Sequence, residues 1–429
     1  ESGGCEVNLD KVPLKYPGLA PWQIWISESQ ERMTLAVPSG KWKELKKIMD
    51  KHGVEASVIG RFTNTGRCVV RARGKKIVDL SLDFLHDGRV PRQQKSRPPG
   101  IITYPTKEKK VDADTRLLAL LSSPSIGGHA FTSDQYDHEV QGTSVTKPLH
   151  GRGRVNADAA VLKPVANSKK GIVISHGYAP WDSERDAYAS ATSSIDMAVR
   201  NAIAIGATID HLAILDNFCW SSGNSPERLY QLKEAARACY DAAVAYGTPF
   251  ISGKDSMFND FKGFDDKGNP VQISVPPTLL ISALGVIPDV ARATTLDFKM
   301  PGDFIYLIGD PKTRTSDVLV RNKKLYKALG RAIGQGLLAS ATAVGHGGTE
   351  VALAKAAIAG GLGASAKHAE GSIIVSVAPK NARAFEKAMK GNVCTKIGRV
   401  TDSKILTIGS MSLPLSRLVA AYHKPFKGF

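Results

Sequence analysis

Leu35-Ala36-Val37-Pro38, followed by KWKELKKIM at 41–49, returns late in the chain as Val375-Ser376-Val377-Ala378-Pro379 followed by ARAFEKAM at 382–389. Each copy reads as an apolar strand running into an amphipathic helix. The order then continues, because Ile59-Gly60-Arg61-Phe62-Thr63 is echoed by Ile397-Gly398-Arg399-Val400-Thr401. An offset of about 340 residues that holds over two consecutive elements is the mark of a duplicated unit of that size. The chain then contains one whole copy and the tail of another, and a stretch matching about 111–340 is expected upstream of residue 1.

Between the two copies, 91–110 (PRQQKSRPPGIITYPTKEKK) is rich in Pro and Lys and lacks an apolar period, so it reads as a linker. A second boundary is expected near 298, where TTLDFKMPGD (294–303) precedes a fresh apolar run. The resulting division is 1–90, a 91–110 linker, 111–298 and 299–429. Helical spacing covers 183–205 and 226–246, the latter closed by Gly247. Strands are expected at 212–215, ending at Asp216, and at 275–286, which is apolar enough to be buried on both faces. Alternating strands and helices point to α/β and α+β architecture.

Composition narrows the function. No run approaches the roughly 18 apolar residues of a membrane span, and the first residues lack a charged leader and apolar stretch, so neither membrane insertion nor export is expected. The five cysteines are scattered and never form CxxC, which fits a reducing, cytoplasmic setting and argues against a disulfide framework or structural zinc. A formal charge of +17 suits an anionic partner. Few aromatic residues interleave with the basic ones, so no nucleic-acid platform is read.

Four polar stretches could carry chemistry. Asp216-Asn217 at a strand end could present a carboxylate to magnesium or a ribose hydroxyl, or simply make the turn. Ser252-Gly253-Lys254-Asp255-Ser256-Met257 reads as a strand entering a polar turn; it is no P-loop, so a phosphate there would rely on a backbone nest and Lys254. Ser27-Glu28-Ser29-Gln30-Glu31-Arg32 offers many hydrogen-bonding groups, suited either to a phosphoribosyl or amide ligand or to a solvated turn. Gln135–Gly142 contains Asp137-His138-Glu139, but consecutive residues face different ways and cannot share one ion, which favours a structural role.

Taken together, Ala20-Pro21-Trp22-Gln23, SESQERM (27–33), QYDHEVQG (135–142), SGKDSM (252–257) and PPTLLISA (276–283) resemble, in order, the phosphoribosylformylglycinamidine synthase family of the PurM-like ATP-binding superfamily. The resemblance implies tandem PurM-like halves, each an N-terminal α/β and a C-terminal α+β domain, with the first half truncated here. It implies that ATP phosphorylates the amide oxygen of formylglycinamide ribonucleotide and that ammonia displaces the phosphate, with Mg2+ screening the triphosphate. Glu28, Ser29, Gln30 and Ser256 then match substrate-binding positions, and Asp216 and Gly253 match ATP contacts. Lys254 stands where many members carry a magnesium-binding Asn, a departure that leaves Asp255 as the neighbouring carboxylate. The family's catalytic histidine segment has no match in this sequence, so no catalytic residue is assigned and the piece alone is expected to be inactive. No nucleophilic-cysteine glutaminase segment is present either, so the ammonia is expected from a fused or separate glutaminase, with room for a small PurS-like subunit. The alternatives are another PurM-like synthetase, against which the repeat argues, and a noncatalytic nucleotide-holding scaffold.

Overall fold

A computed structural model describes residues 3–27, 32–91, 93–100, 111–310 and 316–428, which fall into two compact units, 1–93 and 94–429. The first unit contains β1 (Cys5–Asn8), α1 (Pro21–Trp25), α2 (Trp42–Lys51), β2 (Gly60–Phe62), β3 (Arg67–Ala72), β4 (Lys75–Ser81) and α3 (Leu82–Asp87). Its sheet runs β2-β1-β3-β4, with β1 antiparallel to β2 and parallel to β3. Ser81 ends the sheet and starts α3, its side chain accepting from the Phe84 amide at 3.2 Å. The core is small, formed by Leu9, Cys68, Val70 and Ala72.

In the second unit the chain forms α4 (Ala113–Leu121), α5 (Ala130–Asp134), β5 (Ser144–Thr146), β6 (Leu149–His150), β7 (Val155–Asn156), β8 (Ala159–Leu162), β9 (Gly171–Tyr178), α6 (Ala187–Ile205), β10 (Leu212–Cys219) and α7 (Pro226–Tyr246). It continues through β11 (Phe250–Ser256), β12 (Asp260–Phe264), β13 (Pro270–Ser274), β14 (Thr278–Ile287), β15 (Phe304–Ile308), α8 (Ser316–Gly334), β16 (Ser340–Ala343) and α9 (Gly348–Gly360). β17 (Gly363–Ala366), β18 (Ile373–Val377), α10 (Ala382–Ala388), β19 (Cys394–Thr401), β20 (Ile405–Ile408), β21 (Met411–Pro414) and α11 (Leu415–Tyr422) complete it. A six-stranded sheet runs β11-β10-β14-β9-β8-β5 and a seven-stranded sheet β16-β18-β15-β19-β17-β20-β21. Pro226 at the first helical position and Gly247 in the left-handed region (φ 70°) bound α7 as its sequence requires. One core joins α6, α7 and α8 to both sheets and runs across position 298; a second packs α4, α9 and α11 on the other face of the seven-stranded sheet.

The two copies share a topology. The segment β19-β17-β20-β21 repeats β2-β1-β3-β4 in order and in sense, antiparallel, parallel and antiparallel. A 3-10 turn and a helix precede the first strand of each hairpin, at Ser39–Lys41 and α2, and at Pro379–Asn381 and α10. Two differences stand out. The stretch before Pro38, expected as a strand, forms none, because β18, its counterpart, is paired by β15 and β16, and among the described residues of the first unit neither has an equivalent. The first copy also takes 24 residues (9–32) to pass from β1 to that stretch, where six (367–372) join β17 to β18. The extra length carries Trp22, Trp25 and the Ser27–Arg32 stretch.

Three other expectations are corrected. β10 does not stop at Leu215 but runs to Cys219, because Asp216 and Asn217 stay paired to both neighbours. Gly253-Lys254-Asp255-Ser256 is strand, not turn, held in parallel register with β10. β14 is buried on one face only, alternating along its length, with Leu284 38% exposed.

Candidate functional site

The site assembles on the parallel pair β10 and β11, where Asp216 lies opposite Gly253, Asn217 opposite Lys254, Phe218 opposite Asp255 and Cys219 opposite Ser256. Side chains alternate along a strand, so Asp216, Gly253 and Asp255 share one face while Lys254 and Ser256 share the other. The first is the helix-packed face, since Phe218 belongs to the core and Cys239 of α7 senses the Asp216 charge. Burial, with a smaller contribution from Asp216, pushes the Cys239 thiol up to about 12.

Gly253 is where the absence of a side chain matters. A Cβ there would lie 2.1 Å from Asp216 Oδ1, while the backbone is one that other residues adopt. Glycine therefore leaves room for the neighbouring carboxylate, and any larger residue would force the Asp216 side chain to move; its own torsions make no such demand. Asp216 Oδ1 is buried and has no hydrogen-bond partner among the described residues. Burial raises its carboxyl above the usual range, and the Asp255 charge raises it further, against the pull of the Lys254 amide. An unpaired buried carboxylate oxygen beside a second carboxylate is costly unless a donor or a cation answers it. The pair offers hard oxygen ligands of the kind magnesium takes, so Asp216 and Asp255 fit that ion. Lys254, on the opposite face, does not belong to this donor set.

Around the strand ends, Trp220 is buried and its indole donates to the Arg228 carbonyl at 3.1 Å. Its amide donates to the Ser256 carbonyl at 2.9 Å, and Asn259 Nδ2 donates to the same oxygen at 2.9 Å. Asp260 then ties the loop to the β12–β13 hairpin, accepting from the Ser222 amide at 3.1 Å and from Ser274 Oγ at 2.5 Å. Sequence reasoning missed these residues; the run of Trp, Ser and Asn just beyond an apolar strand was the available signal. It also missed Asp196, wholly buried on α6 and bound by Arg200, Tyr246, Tyr326 and Asn322. A lone acid amid the apolar Ile195, Met197 and Ala198 was the hint.

Glu28, Ser29 and Gln30 lie outside the described residues. The Asp137-His138-Glu139 stretch binds its own surroundings: His138 Nε2 reaches the Ser133 carbonyl at 2.7 Å, and Glu139 pairs with Lys147. Among the described residues no group of three or more His, Cys, Asp or Glu could hold a metal, and no helix is long and apolar enough to cross a membrane.

Residues 1–73 match the family described as AIR synthase related protein, C-terminal domain, and 156–287 match its N-terminal domain. The chain is 34% identical over 312 residues to phosphoribosylformylglycinamidine synthase subunit PurL of Methanothermobacter marburgensis, covering 72% of this chain and 40% of that one. It is 28% identical over 472 residues to the subunit PurL of Anaeromyxobacter sp., covering 98% and 59%. Solved Thermotoga maritima PurL complexed with ATP (TM-score 0.60, 21% identity) and with FGAR (0.61, 22%) each match 93% of this chain, the latter over 58% of its own length; the same fold occurs in a PurLQS structure. The chain thus spans about half the length of the curated relatives it matches.

Proposed function

Because this chain belongs to the PurL family of AIR synthase related proteins, we propose that it supplies half of the nucleotide-handling machinery of a phosphoribosylformylglycinamidine synthase in purine biosynthesis. The observation that carries this reading is the Asp216–Gly253 pairing: a carboxylate kept unpaired and given room by a glycine directly across the ladder. In this reading Asp216 and the Gly253 backbone contact ATP, and Ser256 contacts formylglycinamide ribonucleotide. Asp216 and Asp255 would hold Mg2+, which screens the charge of the triphosphate.

The work of the chain's own residues is positioning and charge neutralisation, which suits a reaction in which phosphate passes from ATP to an amide oxygen and ammonia then displaces it. Ammonia would come from a glutaminase, fused or separate, with a small PurS-like subunit in the assembly. Thermotoga maritima PurL is described in such a company, as PurLQS. Alone, this chain is proposed not to turn over.

A complete chain containing these residues, given formylglycinamide ribonucleotide, ATP, magnesium and ammonium, is expected to make the amidine and to lose at least tenfold in rate on Asp216→Asn. Absence of amidine would refute the reaction. A lowered melting temperature at unchanged rate would instead leave Asp216 a scaffold residue and the nucleotide a structural ligand.

A further inference from the structure

Cys5 and Cys68 are direct partners across the parallel strands β1 and β3, so their side chains leave the sheet on the same side. Cys68 is 7% exposed and sits in the small core with Leu9, Val70 and Ala72, whereas Cys5 is half-buried and packs against that core from its rim. The Cys5 thiol is near enough to add, after burial, to the raising of the Cys68 pKa. Neighbouring strands lie about 4.8 Å apart, inside the window of about 4.4–6.8 Å between Cα atoms that a disulfide spans. The chain before Cys5 is Gly3-Gly4, whose carbonyls accept from the Gly66 amide at 2.6 Å and the Thr63 amide at 2.9 Å, so this end of β1 is held in the sheet. The other cysteines, Cys219, Cys239 and Cys394, all belong to the second unit.

We propose that Cys5 and Cys68 are a thiol modification site, closed by a low-molecular-weight disulfide of the glutathione class into a reversible cross-link between β1 and β3. Cys5 is the entry point because it is the accessible member. Its thiolate attacks one sulfur of the oxidant, forming a mixed disulfide and releasing one glutathione thiolate. Cys68, whose thiol is pushed up by burial and is the poorer first nucleophile, then loses its proton and attacks Cys5 Sγ, expelling the second glutathione thiolate. Two protein thiols are oxidised, one disulfide is reduced to two thiols, and the two protons end on the departing sulfurs. The closed loop runs from residue 5 to residue 68 and encloses the Ser27–Arg32 stretch, so the same bond would tether the segment that the first copy has and the second lacks.

The test is to incubate the full chain with oxidised glutathione, block remaining thiols by alkylation, digest without reductant and read the peptides by mass spectrometry. The expected product is a Cys5–Cys68 linked peptide pair, two hydrogens lighter than the reduced pair and abolished by dithiothreitol. In Cys68→Ser, Cys5 is expected to stop at the glutathione mixed disulfide. Wild-type chain that accumulates Cys5–glutathione with Cys68 still reduced, that links Cys5 to another cysteine, or that leaves both thiols free would overturn the proposal. Should Cys68→Ser not fold, the wild-type peptide map decides by itself.

Discussion

At the residue scale, the chemistry rests on a few side chains whose surroundings work against their charge. Asp216 is an acid whose folded pKa is raised, so its ionisation destabilises the fold. That cost is absent at low pH and grows as pH rises through the folded value. Asp216→Asn is therefore expected to melt above wild type at pH 7, with the gap closing near pH 4, as thermal denaturation at the two pH values would reveal. Gly253→Ala addresses the same contact from across the ladder. Its Cβ falls on Asp216 Oδ1, so it is expected to cost about 1–3 kcal/mol of stability by overpacking, read as a shift in urea midpoint. His150 behaves in the opposite sense. It is 6% exposed, and burial lowers it from 6.5 to about 4 against the pull of Asp297 and Asp158. Its contribution is complete above about pH 6.5 and is lost as pH falls towards 4, an effect of up to about 3 kcal/mol. Urea unfolding at pH 7 and 4.5 should show that loss in wild type and a smaller one in His150→Gln.

At the element scale, the duplicated hairpin unit explains why one stretch of apolar sequence is strand and its twin is not. Leu35 is 59% exposed where Val375 is 0%, and Phe62 is 63% exposed where Val400 is 1%. Leu45 and Met49 are half covered where Phe385 and Met389 are buried. Hydrogen exchange followed by mass spectrometry is expected to find the amides of 33–37 among the fastest and those of 373–377 among the slowest, since only the latter are paired in a sheet interior. Local grammar made some elements legible: α7 was readable to the residue because Pro226 and Gly247 mark its ends. The polar ends of β10 and β11 were not, since Asp216-Asn217 and Gly253–Ser256 carry turn chemistry, and only pairing between segments more than 30 residues apart keeps them extended. For the same reason the motif residues could be named from sequence, while the placing of Asp255, and not Lys254, on the Asp216 face could not. That placing depends on the register of two strands.

At the scale of the whole molecule, the two units differ greatly in what they bury. Among the described residues, four form the core of the first, whereas two large clusters support the second. Small cores leave little margin over conformational entropy. Thiol labelling along a urea gradient is expected to capture Cys68 at lower urea than Cys239, both being buried in the native protein. Simultaneous labelling would mean that the units unfold together. A nucleotide site on β10 and β11 would lie wholly within the more robust unit.

Calorimetric titration of ATP with magnesium into the folded chain and into Asp216→Asn addresses that site most directly. Saturable heat from one site in the wild type, lost or weakened at least tenfold in the variant, is the expected result. Equal binding by both proteins, or none by a folded wild type, would contradict the assignment of Asp216 and Gly253 to the nucleotide.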